Sequence, residues 1–275
     1  MDSYLVGLVG TGIGPSLSPA LHEREADRLG LRYLYRRLDL DELGLPPHRV
    51  GDLLTATRLA GYDGLNITHP CKQLVLPHLD ELDPTAAALG AVNTVTFRDG
   101  MAIGHNTDTT GFARAMRTGL PDVPRDHVVL LGAGGAGAAC AHALATSHLT
   151  IFDRDEARAV ALADQLGDRA EPGRSLADAL KTADGLVHAT PTGMTAHPGL
   201  PLPADLLDPR LWVADVVYRP LTTALVETAR ARGCRVLDGG RMAVFQAADA
   251  FRLFTGRTPD ADRMLRHFDT LEVCP

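Results

Sequence analysis

Short apolar runs alternate with stretches of helical periodicity through the first hundred residues of the chain. Three of these runs predict strands, at residues 5–9, 33–38 and 64–68. Ser18 followed by Pro19 predicts the start of a helix after the first strand. The apolar stretches 91–97 and 101–104, on either side of the turn residues 98–100, predict a β-hairpin. This part of the chain is therefore expected to form an α/β domain of its own.

The alternation begins again at Val128. A strand, a helix and a strand are predicted at residues 128–131, 136–145 and 149–152, and further strands at 185–189, 212–217 and 235–237. This rhythm is typical of a doubly wound parallel sheet. The last stretch, 242–271, predicts two helices separated near residues 256–259. Periodicity leaves open whether these helices pack against the first domain.

A glycine-rich turn lies between the first strand and the first helix of the second half. Gly132, Gly134 and Gly137 have the spacing that gives a tight turn, a close approach to a pyrophosphate and close helix packing, and the backbone of Gly135 and Ala136 lies in the same turn. Asp153 follows Gly132 by 21 positions, where a carboxylate can bind ribose hydroxyls. We interpret the segment as a dinucleotide-binding fingerprint. The alternative is a glycine-rich turn in an ordinary strand-helix unit.

The composition limits the partners of the chain. Its 275 residues suffice for two domains, its formal net charge is −7, and no Lys/Arg-rich run suggests a nucleic-acid partner. We find neither a long apolar run nor a basic leader, so we expect a cytoplasmic protein without a membrane partner. The four cysteines, Cys71, Cys140, Cys234 and Cys274, lack the spacing of metal ligands, and no metal site is expected.

Polar residues cluster where the strands of the first domain end. They are Ser16, Ser18, Asn66, Thr68, Lys72, Asn93, Asn106 and Asp108. Because ligands of open α/β sheets bind at the carboxyl ends of the strands, these residues could share one crevice. Each also has an ordinary structural interpretation: Ser18 as a helix cap, the asparagines as partners of backbone groups, and the lysine as a solvated side chain.

Taken together, these segments resemble the shikimate and quinate dehydrogenases. The matching motifs are SLSPALH at 16–22, NITHPCK at 66–72, GAVNT at 90–94, NTDTTG at 106–111, the glycine fingerprint, ATPTGM at 189–194, DVVYRP at 215–220, and Met242 with Gln246. They follow the family order over nearly the whole chain. The resemblance implies an N-terminal α/β substrate domain, residues 1–108 completed by C-terminal helices in 240–275, and a Rossmann-type NAD(P)-binding domain at 109–239.

The resemblance also implies roles for individual residues. Lys72 and Asp108 resemble the catalytic pair, and which of them transfers the proton stays open. The substrate would be bound by Ser16 and Ser18 at its carboxylate and by Asn66, Thr68, Asn93, Tyr218 and Gln246 around its ring. The cofactor site would comprise the fingerprint residues with Asp153, Arg154, Thr190, Met194, Val216, Gly239 and Met242. For the methionines, core packing is the alternative.

Asp153-Arg154-Asp155 departs from the Asn-Arg-Thr sequence that NADP-using members tend to carry. A carboxylate about 4 Å from a 2′-phosphate costs roughly 1–4 kcal/mol, so we expect NAD as the cofactor, with NADP still usable through Arg154. The segment 238–245 also differs from the usual family sequence. The expected reaction converts shikimate to 3-dehydroshikimate, with quinate as a second substrate, in a monomer or homodimer. The alternatives are a dehydrogenase of an aminated shikimate analogue and a non-catalytic dinucleotide-binding redox sensor.

Overall fold

The computed structural model describes residues 2–272. They form two compact units: unit 1 comprises residues 2–107 and 244–272, and unit 2 comprises residues 108–243. The strands are β1 (Ser3–Gly10), β2 (Arg32–Asp39), β3 (Gly64–Ile67), β4 (Glu81–Leu82), β5 (Thr94–Arg98), β6 (Met101–His105), β7 (His127–Leu131), β8 (His148–Phe152), β9 (Ala170–Pro172), β10 (Gly185–His188), β11 (Trp212–Asp215) and β12 (Arg235–Leu237). The α-helices are α1 (Ser18–Arg28), α2 (Val50–Leu59), α3 (Cys71–Leu74), α4 (Pro84–Leu89), α5 (Thr107–Gly119), α6 (Gly135–Ala143), α7 (Glu156–Leu166), α8 (Leu176–Thr182), α9 (Ala224–Ala231), α10 (Gly240–Thr255) and α11 (Ala261–Glu272).

The sheet of unit 1 has the strand order β2-β1-β3-β5-β6-β4. β1 pairs in parallel with β2 and β3, whereas β5 is antiparallel to both β3 and β6. The predicted hairpin is confirmed, because β5 and β6 pair around Asp99 and Gly100. These two residues have φ values of 51° and 78°, and positive φ at both turn positions matches the twist of the flanking strands.

Both faces of this sheet are covered. One face packs Val6 and Leu8 of β1 against Phe251 and Phe254 of α10. On another side, Val9, Leu65, Ile67 and Val95 pack with Val50 and Leu54 of α2. Strands buried on both faces are rich in branched apolar residues, as the short apolar runs of the sequence indicate.

The first helix begins at Ser18, with Pro19 in its first turn, as predicted. Ser18 is not the N-cap, however, since Leu17 occupies that position and no side chain caps the helix. The backbone N–H of Ser18 donates to Ser16 Oγ at 3.3 Å. The interpretation of Ser18 as a helix cap was therefore wrong, because the serine that accepts a helix N–H lies two residues earlier.

The sheet of unit 2 has the order β12-β11-β10-β7-β8-β9, with every neighbouring pair parallel. This is the doubly wound arrangement that the alternation predicts, and the prediction is confirmed. The strand order reverses between β7 and β10, where such sheets form their ligand crevice. The edge strand β9 is largely exposed and ends at Pro172, so it carries no apolar run and the sequence pattern did not reveal it.

The two C-terminal helices are confirmed as α10 and α11. The chain leaves unit 1 within α5 and returns to it within α10. Arg263 of α11 donates two hydrogen bonds to Glu25 of α1, at 2.6 Å from Nη2 and 2.9 Å from Nε, and the Glu25 side chain is only 1% exposed. Unit 1 is therefore built from both ends of the described chain, and the division of functions between the two units stays a prediction.

Candidate functional site

Several loops meet at one edge of the unit 1 sheet. Thr68 N donates to Val9 O at 2.9 Å, and Thr11 N donates to His69 O at 3.1 Å, which joins the segments that follow β1 and β3. Because β5 is antiparallel to β3, the residues before β5 lie at the same edge. Ser16, Thr68 and Asn93 thus belong to one edge of unit 1, in agreement with a shared crevice.

The loop before α1 is held by a buried carboxylate. Asp39 accepts hydrogen bonds from Gly12 N at 3.1 Å and Ile13 N at 2.8 Å. Gly12 has a φ of 61°, in the left-handed region that favours glycine. Downstream, the guanidinium of Arg37 donates to Ser16 O at 2.9 Å. Half-buried serines beside a guanidinium suit a carboxylate ligand.

Asn66 is bound within the sheet. Its Oδ1 accepts from Tyr35 Oη at 2.7 Å, while Nδ2 donates to Thr94 Oγ1 at 3.1 Å and Asn93 O at 3.3 Å. Both donor hydrogens of the amide therefore have partners within unit 1. The structure gives Asn66 a bracing function between β3 and β5, and its role in substrate binding stays a prediction.

Asn93 binds the start of α5. Its Oδ1 accepts from Thr107 N at 2.8 Å, and its Nδ2 lies 2.9 Å from Thr107 Oγ1. The next residue is Asp108, which is buried in the first turn of the helix, where its negative charge is favoured by the helix dipole. Asn93 therefore fixes the backbone from which the Asp108 carboxylate projects.

The other predicted residues of this site lie on short elements. Lys72 is half-buried on α3, and its carbonyl accepts from Val92 N at 2.9 Å. Gln246 is half-buried on α10, in the part that belongs to unit 1. Burial raises the pKa of the neighbouring Cys71 thiol to about 11, which makes this thiol a core side chain rather than a nucleophile.

The glycine fingerprint forms the turn before α6. Gly132 has a φ of 103°, and a Cβ at this position would lie 2.6 Å from Ala189 O. A Cβ on Gly137 would collide with Gly132 O. Gly134 is the N-cap of α6 in an extended conformation, and the space around its Cα is open. Open space above unpaired helix N–H groups is what a pyrophosphate requires, so these residues fit a dinucleotide.

The carboxylate predicted to bind ribose is held close to this turn. Asp153 Oδ2 accepts from Ala133 N at 2.7 Å, and Oδ1 accepts from Asp155 N at 2.9 Å. Asp155 is the N-cap of α7 and accepts from Ala157 N at 3.2 Å. Arg154 is exposed between the two aspartates. The end of β8 therefore presents two carboxylates, each of which retains accepting capacity.

The remaining predicted cofactor residues follow β10 and β11 or begin α10. Thr190 is half-buried, and a Cβ on Gly132 would lie 3.1 Å from its Cγ2. A Cβ on Gly239 would lie 2.7 Å from Val216 O, so this position demands glycine for close packing. Met194 is 43% exposed, whereas Met242 is 7% exposed. Tyr218 is half-buried in the loop after β11. The roles of these residues stay predictions.

One polar network was missed by the sequence reasoning. His188 and Asp215 end the neighbouring strands β10 and β11, stand side by side in the register, and have fully buried side chains. His188 Nδ1 lies 2.9 Å from Asp215 Oδ1, and His188 Nε2 lies 2.6 Å from Thr190 Oγ1. The sequence did contain a signal, because His188 and Asp215 are the last residues of two otherwise apolar strands. Such a placement indicates a buried polar pair.

Residues 2–272 contain no group of three or more His, Cys, Asp or Glu side chains placed to hold a metal ion. Cys71, Cys140 and Cys234 are buried free thiols, and Cys274 lies outside the described residues. None of the helices in this part of the chain has the length and apolar character to cross a membrane.

Three family models match this chain. The shikimate dehydrogenase substrate binding domain matches residues 8–95, the shikimate / quinate 5-dehydrogenase family matches 115–195, and the shikimate 5′-dehydrogenase C-terminal domain matches 240–267.

Relatives match over nearly the full length. A shikimate dehydrogenase (NADP(+)) of Streptomyces avermitilis is 65% identical over 274 residues, covering 96% of this chain and 94% of the relative. A quinate/shikimate dehydrogenase (NAD(+)) of Corynebacterium efficiens is 50% identical, with 98% and 99% covered. The solved structure of quinate dehydrogenase from Corynebacterium glutamicum in complex with NAD has a TM-score of 0.89 at 46% identity, with 98% and 100% covered.

Proposed function

This chain belongs to the family of shikimate and quinate dehydrogenases, and on that premise we propose that it oxidises shikimate reversibly to 3-dehydroshikimate with a nicotinamide dinucleotide. The observation that carries the proposal is the convergence of the loops bearing Ser16, Thr68 and Asn93 on one edge of unit 1. A hydroxy acid needs hydroxyl and amide partners of this kind around its ring and carboxylate. Unit 1 is proposed to bind the acid and unit 2 the dinucleotide.

The bound dinucleotide supplies the hydride acceptor. The carbinol C–H bond of the substrate breaks with its electron pair, the O–H proton passes to a base, and a C=O bond forms. Lys72 and Asp108 are proposed to take that proton and to stabilise the alkoxide as it develops. Asn93 contributes by fixing the first turn of α5, which carries Asp108.

The composition supports a chemical role for Lys72. The chain contains 25 arginines and only two lysines, Lys72 and Lys181. Arginine remains charged throughout the working pH range, whereas a lysine can lose its proton. Nearly all positive charges of this chain are arginines. The lysine at position 72 therefore indicates a need for a group that can transfer a proton.

The test is the rate at which the reduced dinucleotide forms from shikimate. Lys72→Arg keeps the positive charge and removes the transferable proton, so turnover falls about 10²–10⁴-fold if Lys72 is the base. If turnover of that variant stays within a few-fold of wild type, Asp108 is the base. Lys181→Arg is the matched control, since Lys181 pairs with Asp178 on the exposed surface of unit 2. No activity of the wild-type enzyme with either shikimate or quinate refutes the proposed function.

We propose that NAD is the preferred cofactor, because the carboxylates of Asp153 and Asp155 repel a 2′-phosphate. The names of the relatives differ on this point, with NADP for the Streptomyces avermitilis protein and NAD for the Corynebacterium efficiens protein. Asp155→Thr keeps a capping oxygen for α7 and removes one charge, so it should raise kcat/KM with NADP relative to NAD. Asp168→Asn, at the other end of α7 about 16 Å away, is the charge-matched control. A wild-type enzyme that prefers NADP contradicts the charge argument.

Quinate is proposed as a slower second substrate. It carries an additional hydroxyl on the tetrahedral carbon that bears its carboxylate, the group that Ser16 and Ser18 are proposed to bind. A pocket rejects an added hydroxyl only weakly, by about 10²-fold, so measurable activity should remain. Steady-state kinetics with both acids and NAD test this proposal, and equal or better efficiency with quinate contradicts it.

A further inference from the structure

Resting on the proposed function, we infer that Asp39 is a positioning residue for the substrate. Through the loop of residues 11–17, its buried carboxylate fixes the direction in which the Ser16 hydroxyl meets the carboxylate of the acid. Asp39 is the last residue of β2 and is 5% exposed. It stands opposite Gly10, the residue at which β1 ends and the loop begins.

This loop has little packing of its own. Gly12 and Gly14 are exposed, and a Cβ added to either would meet no atom within 4 Å beyond its chain neighbours. Of residues 11–17, only Ile13 is buried. Glycine has more conformational freedom than any other residue, so a loop with two exposed glycines is costly to order. Hydrogen bonds to other elements must therefore hold the loop in one conformation.

Asp39 supplies such hydrogen bonds. Its Oδ2 accepts from Ile13 N at 2.8 Å, and its Oδ1 accepts from Gly12 N at 3.1 Å and from Asp41 N at 3.1 Å. Burial of a carboxylate is costly unless hydrogen bonds compensate it, and an uncharged side chain would fill the same space at less cost. A buried charge bound to consecutive N–H groups of the loop therefore indicates a function in holding that loop.

The loop transmits this constraint to Ser16. Ser16 N donates to Ile13 O at 3.0 Å, so Ile13 binds Asp39 through its N–H and Ser16 through its carbonyl. From the other side, Arg37 lies on the same face of β2 as Asp39 and donates from Nη2 to Ser16 O at 2.9 Å. Ser16 Oγ accepts from Ser18 N at 3.3 Å. The hydroxyl hydrogen of Ser16 can then be donated outward, to an acceptor such as a carboxylate.

The direction of this hydroxyl should affect binding rather than the chemical step. The carboxylate that Ser16 is proposed to bind is not the reacting group of the acid. An interaction that is equally strong in the ground state and the transition state lowers KM without changing kcat. A loosened loop should therefore raise the KM for the acid, while turnover and the KM for the dinucleotide are retained.

The experiment measures kcat and both KM values for Asp39→Asn with shikimate and NAD. The amide nitrogen of this variant cannot accept, so at least one of the bonds from Gly12 N and Ile13 N is lost. The KM for shikimate should rise about 10–100-fold, the worth of one hydrogen bond to a charged group, with kcat and the KM for NAD within about three-fold of wild type. Asp41→Asn is the matched control, because it removes the same charge from an exposed side chain two residues later.

A double variant tests whether Asp39 acts through Ser16. Ser16→Ala removes the hydroxyl whose direction Asp39 is inferred to fix. In that background, Asp39→Asn should raise the KM for shikimate by no more than about three-fold, because residues that act as one unit are not additive. A residue with a purely structural role would instead lower Tm and weaken the use of both substrates together.

Gly12→Ala disturbs the same loop without removing a charge. Gly12 has a φ of 61°, which strains any residue that carries a Cβ, so this variant should also raise the KM for shikimate selectively. Gly44→Ala is its matched control, since Gly44 follows β2, has a φ of 63° and has equally open space around it. If Asp39→Asn fails to fold, this pair of glycine variants decides.

An unchanged KM for shikimate in Asp39→Asn overturns the inference, and so does an unchanged KM in Gly12→Ala where that variant decides. A full effect of Asp39→Asn in the Ser16→Ala background also overturns it, as does an equal rise in the KM for NAD. These outcomes concern an enzyme that oxidises shikimate, so they leave the proposed function intact. A wild-type protein that oxidises neither shikimate nor quinate refutes the proposed function, and this inference with it.

Discussion

Acid should destabilise unit 1 through one buried histidine. The His22 side chain is fully buried among Tyr33, Tyr35, Phe251 and Phe254. Its Nδ1 lies 3.0 Å from Tyr33 Oη, and its Nε2 has no hydrogen-bond partner. Burial lowers the pKa of His22 from 6.5 to about 3. The folded state therefore keeps this imidazole neutral at pH values where the unfolded chain binds a proton.

The sign and size of the effect follow from the two pKa values. The contribution is fully present above pH 6.5 and is lost as the pH falls toward 3, because only the unfolded state gains the proton in that window. Each pH unit within the window corresponds to about 1.4 kcal/mol. Between neutral pH and about pH 5, the free energy of unfolding should fall by about 2 kcal/mol through His22 alone.

The assay is urea denaturation at neutral pH and near pH 5, with separate probes for the two units. The single tryptophan, Trp212, reports on unit 2, while four of the five tyrosines lie in unit 1 and report through near-ultraviolet circular dichroism. His22→Phe keeps an aromatic ring and removes the titration, so its unit 1 transition should lose about 2 kcal/mol less on acidification than that of wild type. His48→Asn, an exposed site in unit 1, should follow wild type. Equal pH dependence in wild type and His22→Phe would refute the reasoning.

Three further predictions concern the site and the joined ends of unit 1. Lys72→Ala and Asp108→Asn should each reduce turnover about 10²–10⁴-fold in steady-state assays. The loss in the double variant should be smaller than the two single losses combined. A single variant that keeps more than about a third of the activity contradicts the assignment. Gly137→Ala should abolish dinucleotide binding measured by calorimetry, because its Cβ collides with Gly132 O, and unchanged binding would show that the turn does not need this approach. Glu25→Gln should lower the free energy of unfolding by about 3 kcal/mol in urea, whereas Arg257→Gln, at an exposed ion pair with Asp2, should cost less than about 1 kcal/mol; equal effects contradict the burial argument.

The sequence pattern predicts most of the architecture, because strands that are buried on both faces consist of short apolar runs. The hairpin over β5 and β6 and the parallel sheet of unit 2 are both confirmed. The strands β4 and β9 were missed because they are largely exposed and carry no apolar run, whereas the equally short β12 was predicted from its apolar residues. Ser18 shows a different limit: a serine before a proline is typical of a helix cap, but here the side chain that accepts a backbone N–H is that of Ser16, which accepts from Ser18 N.

The candidate site was likewise predicted only in part from the sequence. Motif spacing was sufficient to select the glycine turn, because the close approaches at Gly132 and Gly137 depend on local geometry alone. Motif spacing does not show that Asn66 donates both amide hydrogens within the sheet, because these bonds depend on the register of β3 against β5. The pairing of His188 with Asp215 likewise depends on which strands become neighbours, and these residues are 27 positions apart in the chain.

The discontinuity of unit 1 determines the order in which the molecule can be completed during synthesis. Val6 and Leu8 pack against Phe251 and Phe254, which are translated only after the whole of unit 2. At about 5–20 residues per second, roughly 7–30 s separate the end of the first segment from the arrival of these partners. Unit 2 is contiguous and can close its own core within that interval. The segment that is translated first is therefore finished second, and its apolar strand faces must be shielded from other nascent chains until then.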